Sequence, residues 1–78
     1  MDIKDQLQHI FREVFEEPQL EITSEMTAND VAKWTSLTHM IMIEKTERHF
    51  NIKLTLKELI KLKKAGDLLS LIENKLQG

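Results

Sequence analysis

Residues 34–43 read Trp-Thr-Ser-Leu-Thr-His-Met-Ile-Met-Ile, and the rest of the chain is organised around this stretch. Within it a polar loop becomes an apolar helix. Ser36 or Thr35 is placed to cap the helix, because a hydroxyl oxygen at that position accepts a hydrogen bond from an amide of the first turn. We expect Trp34 to pack the loop against the rest of the protein and so to fix where Ser36 lies.

The helix that starts here is predicted over residues 36–50 and has two distinct faces at 100° per residue. Met40, Ile43 and Phe50 share one face with Thr46 between them, and we expect this face to point inward. The adjacent face, which is too polar for a core and too apolar for plain surface, carries Leu37, Ile41, Glu44 and Arg48.

Before this helix lie another helix and a long connection. Apolar residues recur at helical spacing over 2–16, with Asp2 as the predicted N-cap and Pro18 as the terminating signal. Residues 17–35 then form a connection longer than the roughly 2–8 residues usual between helices of a bundle. Thr27 to Asp30 are predicted to cap a short helical turn in it. The apolar residues expected to anchor this connection to the core are Leu20, Ile22, Met26, Val31 and Trp34.

After residue 50 the pattern changes three times. Asn51 is a plausible helix stop, and residues 52–54 are an extended linker with two apolar anchors. Thr55-Leu56-Lys57-Glu58 has the spacing of a capping box and predicts a short helix. Gly66 and Asp67 restart the chain into a last amphipathic helix that ends at Gly78. The sequence therefore predicts an all-α protein, a small four-helix bundle with a long loop between helices 1 and 2 and a short helix 3, with residues 1–78 as a single domain.

The composition excludes several classes of protein. A chain of 78 residues has little room for a closed active-site cavity, which argues against an enzyme. It has no cysteine, and it lacks any apolar stretch of signal-peptide or transmembrane length, so we expect a soluble, cytoplasmic protein without membrane insertion.

Charge is unevenly distributed, although the net charge is only −2. Residues 1–30 hold eight acids and two bases, whereas 31–78 hold five acids and nine bases. We interpret the basic cluster as a solvated helix face. A nucleic-acid patch is the alternative, but the cluster lacks arginines and interleaved aromatic residues. Its members are Lys53, Lys57, Lys61, Lys63 and Lys64.

Trp34-Thr35-Ser36-Leu37, opening a helix in the middle of a small four-helix chain, resembles the acyl carrier protein family. The resemblance continues through Phe50-Asn51-Ile52-Lys53-Leu54 and Ala65-Gly66-Asp67-Leu68, and it covers nearly the whole chain. It is closer to the free-standing carriers of bacterial specialised pathways than to the housekeeping fatty-acid carrier. The resemblance implies that Ser36 carries a covalent 4′-phosphopantetheine, on which acyl or aminoacyl groups are held as thioesters for biosynthesis of fatty acids or secondary metabolites.

The partners implied by the resemblance are a phosphopantetheinyl transferase, an acyl- or aminoacyl-activating ligase and a downstream synthase or transferase, with the carrier acting as a monomer. Two departures from the family pattern matter. Thr35 stands where the family usually has an aspartate that helps to place the metal of the transferase reaction. The partner side of helix 2 is mixed rather than strongly acidic, and we expect its contacts to depend on Leu37, Ile41 and Met42. The predicted interface consists of Leu37, Ile41, Glu44, Glu47 and Arg48.

Other candidate sites are weaker. His9, His39 and His49 do not have the spacing of a metal site, so no metal is predicted. His39 lies one turn from Ser36 and could contact the phosphate of the arm, but no orienting acid accompanies the two residues as in a nucleophile–base pair. The alternative function is that of an unmodified helical adaptor, which has kept the carrier fold and binds a partner protein through helix 2.

Overall fold

The computed structural model describes residues 2–77, and over this range it is all-α, with no strand. The prediction of four helices, a long first loop and a short third helix is confirmed. The predicted end of the last helix at Gly78 lies outside the described residues. The helices are α1 (Ile3–Val14), α2 (Ser36–Phe50), α3 (Leu56–Lys61) and α4 (Ala65–Gln77), with a 3₁₀ turn at Ala28–Asp30. None of the helices described is long and apolar enough to cross a membrane.

Helix α1 starts as predicted and ends earlier than predicted. The Asp2 carboxylate accepts a hydrogen bond from the Asp5 amide at 2.8 Å and caps the first turn. The helix stops at Val14 rather than at residue 16, because Glu16 takes a left-handed conformation with φ of 53°. The Glu17 amide then donates to the Arg12 carbonyl oxygen at 3.1 Å, a bond typical of a Schellman C-terminus.

Helix α2 has the predicted bounds, and Asn51 ends it in the same way. Asn51 is left-handed with φ of 54°, and both its amide and that of Ile52 donate to the Glu47 carbonyl oxygen. Asparagine tolerates this conformation better than most residues do, so the residue type at position 51 is enough to predict the end of the helix.

The core forms where α1 packs against α2 and α4. The long loop covers this core, and its predicted anchors are confirmed, with Leu20 half-buried and the other four buried. Two side chains of α1 hold the loop: Arg12 Nε donates to the Leu20 carbonyl oxygen at 2.6 Å, and Gln8 Oε1 accepts from the Ile22 amide at 2.9 Å. The loop is therefore a fixed part of the structure.

Two methionines of α2 lie elsewhere than predicted. Met40, expected in the core, is 58% exposed, whereas Met42, expected at the partner surface, is 1% exposed. Thr46 is fully buried and marks the centre of the inward face. At 3.6 residues per turn Met40 lies about 120° from Thr46 and Met42 only about 40°. Because α1 packs on this side of α2, and Met42 borders a small interior space with Phe11 of α1 and Leu68 of α4, the buried arc includes Met42 and leaves Met40 outside it.

The loop also reaches the start of α4. The Met26 and Ser24 carbonyl oxygens accept from the amides of Ala65 (2.8 Å) and Gly66 (3.1 Å), so the loop satisfies two amides of the first turn. A Cβ at Gly66 would lie 2.8 Å from the Ser24 oxygen, which only glycine avoids. Gly66 is therefore inside α4 rather than before it, and its role is close approach to the loop.

The predicted capping box of α3 is confirmed. Thr55 Oγ1 accepts from the Glu58 amide at 3.2 Å, and Glu58 Oε1 accepts from the Thr55 amide at 2.8 Å. Glu58 also pairs with Lys75 of α4 at 3.0 Å, which ties the short helix to the bundle. These contacts hold the pKa of the Glu58 carboxyl below its ordinary value, chiefly through the backbone hydrogen bond from Thr55.

Candidate functional site

Thr35, and not Ser36, caps α2. Thr35 Oγ1 accepts from the Thr38 amide at 3.3 Å, while Thr38 Oγ1 accepts from the Thr35 amide at 2.7 Å. Thr38 Oγ1 also donates to the Lys33 carbonyl oxygen at 2.6 Å, which fixes the last residues of the loop. Ser36 is the first helical residue, is exposed, and makes no side-chain hydrogen bond to any residue of 2–77. Its hydroxyl is thus available at the positive end of the helix dipole.

Trp34 fixes the position of this helix start, as predicted. Its ring is buried against Phe11 of α1 and against Phe15, the C-cap residue of that helix, and each of these rings has its centroid 5.3 Å from that of Trp34. Its indole Nε1 donates to His39 Nδ1 at 3.0 Å, and the two rings are stacked with an interplanar angle of 14°. Trp34 therefore joins α1, the loop and α2 two residues before Ser36.

His39 is half-buried under this contact, and burial lowers the pKa of its imidazole from the ordinary value of 6.5. Because an indole N–H can only donate, His39 Nδ1 must accept, and the neutral ring carries its proton on Nε2. The predicted contact between His39 and the phosphate of an arm would have to use Nε2–H, and it stays a prediction.

Ser36 lies on an open groove of about 720 Å³, which we name the Ser36 groove. The loop and the 3₁₀ turn form one side of it, the first turns of α2 form another, and the connection from α3 to α4 forms the third. Its lining is apolar apart from the hydroxyls, His39 and one lysine. It consists of Ala28, Trp34, Thr35, Ser36, His39, Met40, Leu62 and Lys63.

The predicted interface residues on α2 lie on one side of the helix, which we name the α2 face. Leu37 is 72% and Ile41 39% exposed, and Glu44 and Arg48 form an exposed ion pair at 2.8 Å. Glu47 is half-buried at the edge of the α2 face, where its Oε2 already accepts from the Leu54 amide at 2.8 Å. Exposed Met40 adds an apolar side chain between the α2 face and the Ser36 groove.

The remaining polar candidates are dispersed. His9 pairs with Glu13 at 3.2 Å, and His49 Nε2 lies 2.7 Å from Gln6 Oε1, both on exposed surface. Among residues 2–77, no three histidine, aspartate or glutamate side chains come together as a metal site would require. The five lysines of the basic cluster are all exposed, and Lys64 is paired with Glu25 at 2.8 Å.

Sequence reasoning missed four residues of the Ser36 groove. Met40 was predicted to be buried, while Ala28, Leu62 and Lys63 were not linked to Ser36. Ala28, Leu62 and Lys63 come from two segments outside α2, and only the tertiary fold brings them beside this helix. The one sequence pattern that pointed to any of these residues was the predicted turn at Thr27 to Asp30. The structure confirms it as a capped 3₁₀ turn that contains Ala28.

Three comparisons with known proteins were made, and the comparison with solved structures found a similar protein. No family model matches the chain, and the curated proteins gave no match. The solution NMR structure of a holo acyl carrier protein from Geobacter metallireducens superposes with a TM-score of 0.92 at 45% sequence identity, covering 99% of this chain and 88% of that one. The fold and this identity support a carrier role, and the chain belongs to the acyl carrier protein family.

Proposed function

We propose that residues 1–78 form a single, monomeric carrier domain that takes 4′-phosphopantetheine on Ser36. The arm would hold acyl or aminoacyl groups as thioesters and present them to biosynthetic enzymes. The similar Geobacter protein is a holo acyl carrier protein, which supports a prosthetic group on this chain. The cytoplasmic location remains a prediction from the sequence.

The observation that carries the proposal is the division of roles between Thr35 and Ser36. A serine at a helix start is usually a cap, with its hydroxyl engaged by the first-turn amides. Here Thr35 and Thr38 cap each other, and the Ser36 hydroxyl is exposed without a partner among residues 2–77. An unengaged hydroxyl at the positive end of a helix suits the attachment of a phosphate.

The chemistry of loading is a phosphoryl transfer that a separate transferase catalyses. Ser36 Oγ attacks the phosphorus of coenzyme A that bears the pantetheine, a new P–O bond forms, and adenosine 3′,5′-bisphosphate leaves as the Ser36 proton is removed. The cofactor supplies the thiol, which this cysteine-free chain lacks. The residues of the chain would hold the arm at the Ser36 groove, with Trp34 and His39 fixing the attachment point.

Intact mass tests the attachment. After incubation with coenzyme A and a broad-specificity transferase, the chain should gain the mass of one phosphopantetheine, and Ser36→Ala should gain nothing. The matched control is Ser24→Ala, which removes an exposed serine of the loop and should load normally. Failure to gain mass with several transferases would refute the proposal.

We further propose that the α2 face is the docking surface for the transferase and the downstream enzymes. Its apolar side chains and its internally paired charges favour contacts by burial rather than by a single sign of charge. Leu37→Ala should raise the KM of the transferase about tenfold, since ~1.4 kcal/mol corresponds to a factor of ten. Leu56→Ala is the control, because Leu56 on α3 is 73% exposed against 72% for Leu37. Equal effects of the two substitutions would exclude the α2 face.

The unmodified adaptor is the second candidate function, and two observations favour it. Thr35 brings no charge to the position where the family usually has an acid, and Leu37 is exposed without need of a prosthetic group. The adaptor predicts that Ser36→Ala binds partner enzymes as tightly as the parent chain does. A carrier predicts that the same substitution abolishes transfer of cargo.

A further inference from the structure

Two spaces meet beside Ser36. One is the Ser36 groove, and the other is an enclosed space of about 10 Å³ between α1, α2 and α4, lined in part by Phe11, Met42 and Leu68. A volume of this size holds at most about one water molecule. Four residues border both spaces, and they form the wall between groove and interior: Trp34, His39, Leu62 and Lys63.

The wall is fastened by one hydrogen bond. Trp34 Nε1 donates to His39 Nδ1 at 3.0 Å and so joins the loop to α2 across the enclosed space. On its other side the Trp34 ring packs edge-on against Phe11 and stacks on Phe15. Moving Trp34 out of the wall would leave its N–H without an acceptor and would also break the stacking on His39.

We propose that the Trp34–His39 hydrogen bond is a latch that keeps an apolar chain attached at residue 36 in the Ser36 groove and out of the enclosed space. The chain then lies against Met40 and Leu62, whose side chains line the groove, and does not reach Met42 and Leu68. As a statement about cargo, the latch rests on the proposed function. It makes Trp34 and His39 positioning residues for acyl chains.

The groups around His39 keep the latch closed at neutral pH. Lys63 and Lys64 border the enclosed space with His39, while α1 and α4 contribute the apolar Phe11 and Leu68. Burial among these groups disfavours an imidazolium and lowers the pKa of His39. Protonation at Nδ1 would remove the acceptor for Trp34 and open the latch.

The test uses a chain attached without any transferase. Because the protein has no cysteine, Ser36→Cys introduces a single thiol. Its thiolate attacks the sulfenyl sulfur of octyl methanethiosulfonate, forms a mixed disulfide and releases methanesulfinate. Methyl labels on the methionines then report separately on the groove, through Met40, and on the enclosed space, through Met42. The reference is the same variant carrying a methyl disulfide.

With His39 intact, the octyl chain should shift the methyl resonance of Met40 and leave that of Met42 unchanged. Adding His39→Ala should make the Met42 resonance shift as well. His39→Asn should restore the parent pattern, since its carboxamide oxygen can accept in place of Nδ1. His49→Ala, which removes an exposed imidazole at the other end of α2, should behave as the parent.

A shift of Met42 with His39 intact would overturn the latch, and so would its absence in the His39→Ala variant. If that variant does not fold, Trp34→Phe removes the N–H while keeping an aromatic ring, and the same shift of Met42 is required of it. These results are independent of whether a transferase modifies Ser36, so failure of the latch and failure of the proposed function are distinguishable.

Discussion

Substitutions at Thr35 separate its role in folding from any role in loading. Thr35→Ala removes the oxygen that accepts from the Thr38 amide at 3.3 Å. Loss of an N-cap costs about 1 kcal/mol, and for a chain of this size that lowers the melting temperature by roughly 4–8 °C. Thr35→Asn keeps an acceptor and should leave the melting temperature close to that of the parent.

Thr35→Asp keeps the acceptor and adds a negative charge at the start of α2, whose first turn contains no acid. The charge should stabilise the helix by ~0.3–1 kcal/mol at low salt through its interaction with the helix dipole. If the acid helps to place the metal of the transferase, Thr35→Asp should also load faster than the parent chain, while Thr35→Asn should not. Thermal unfolding followed by circular dichroism measures the first effect, and the rate of mass gain with coenzyme A measures the second.

Ser36→Ala is the decisive control for this reasoning. Because the Ser36 hydroxyl makes no hydrogen bond within the described chain, its removal should change the melting temperature far less than Thr35→Ala does. A larger loss of stability in Ser36→Ala than in Thr35→Ala would show that Ser36 is the cap. The Ser36 hydroxyl would then be engaged in the fold, and attachment of a phosphate at Ser36 would lose its main support.

Three further substitutions or conditions test the fold. Gly66→Ala should lower the free energy of unfolding by about 1–3 kcal/mol, because the added Cβ would lie 2.8 Å from the Ser24 carbonyl oxygen. Alanine raises the melting temperature when it replaces glycine in an exposed helix, and such a rise here would contradict the close approach. Glu16→Gly should raise the free energy of unfolding by roughly 1 kcal/mol, because glycine adopts the left-handed φ of 53° without steric strain. Glu16→Ala keeps a Cβ and should show no such gain when both variants are unfolded with denaturant. Burial lowers the pKa of the His39 imidazole below 6.5, so the unfolded chain binds a proton there more readily than the folded chain does. The part of the free energy of unfolding that neutral His39 contributes is fully present above pH 6.5 and is lost as the pH falls through the folded pKa. Urea titrations of the parent and His39→Asn at several pH values should show that the variant loses less stability on acidification.

The sequence was sufficient for elements whose signals are local. The stop at Asn51 and the Thr55–Glu58 box depend on residues within a few positions of each other, and both were predicted. The cap of α2 was narrowed to Ser36 or Thr35, and the structure assigns it to Thr35. The end of α1 was missed because Glu16 adopts a left-handed conformation that its residue type does not signal. Pro18 predicted that the helix ends at residue 16, which is two residues beyond its observed end at Val14.

Positions decided by tertiary contacts could not be predicted in this way. Met40 and Met42 flank the same apolar stripe, and only the packing of the other segments around α2 determines that Met42 is buried. Gly66 looks like a helix breaker in the sequence, yet it lies within α4, where the loop passes so close that there is no room for a Cβ. The Ser36 groove depends on Leu62 and Lys63, which no local pattern connects with Ser36.

The structure also clarifies what an acid at residue 35 would contribute. A cap requires only an acceptor oxygen, and the hydroxyls of Thr35 and Thr38 satisfy each other's amides without charge. Trp34 independently fixes the start of the helix through Phe11, Phe15 and His39, so the fold of this region does not depend on an acid. An acid at residue 35 is therefore not needed for the folding of this chain. If an acid here helps to place the metal of the transferase, as the resemblance to the family implies, the rate of mass gain of the Thr35→Asp variant measures how much the missing charge costs.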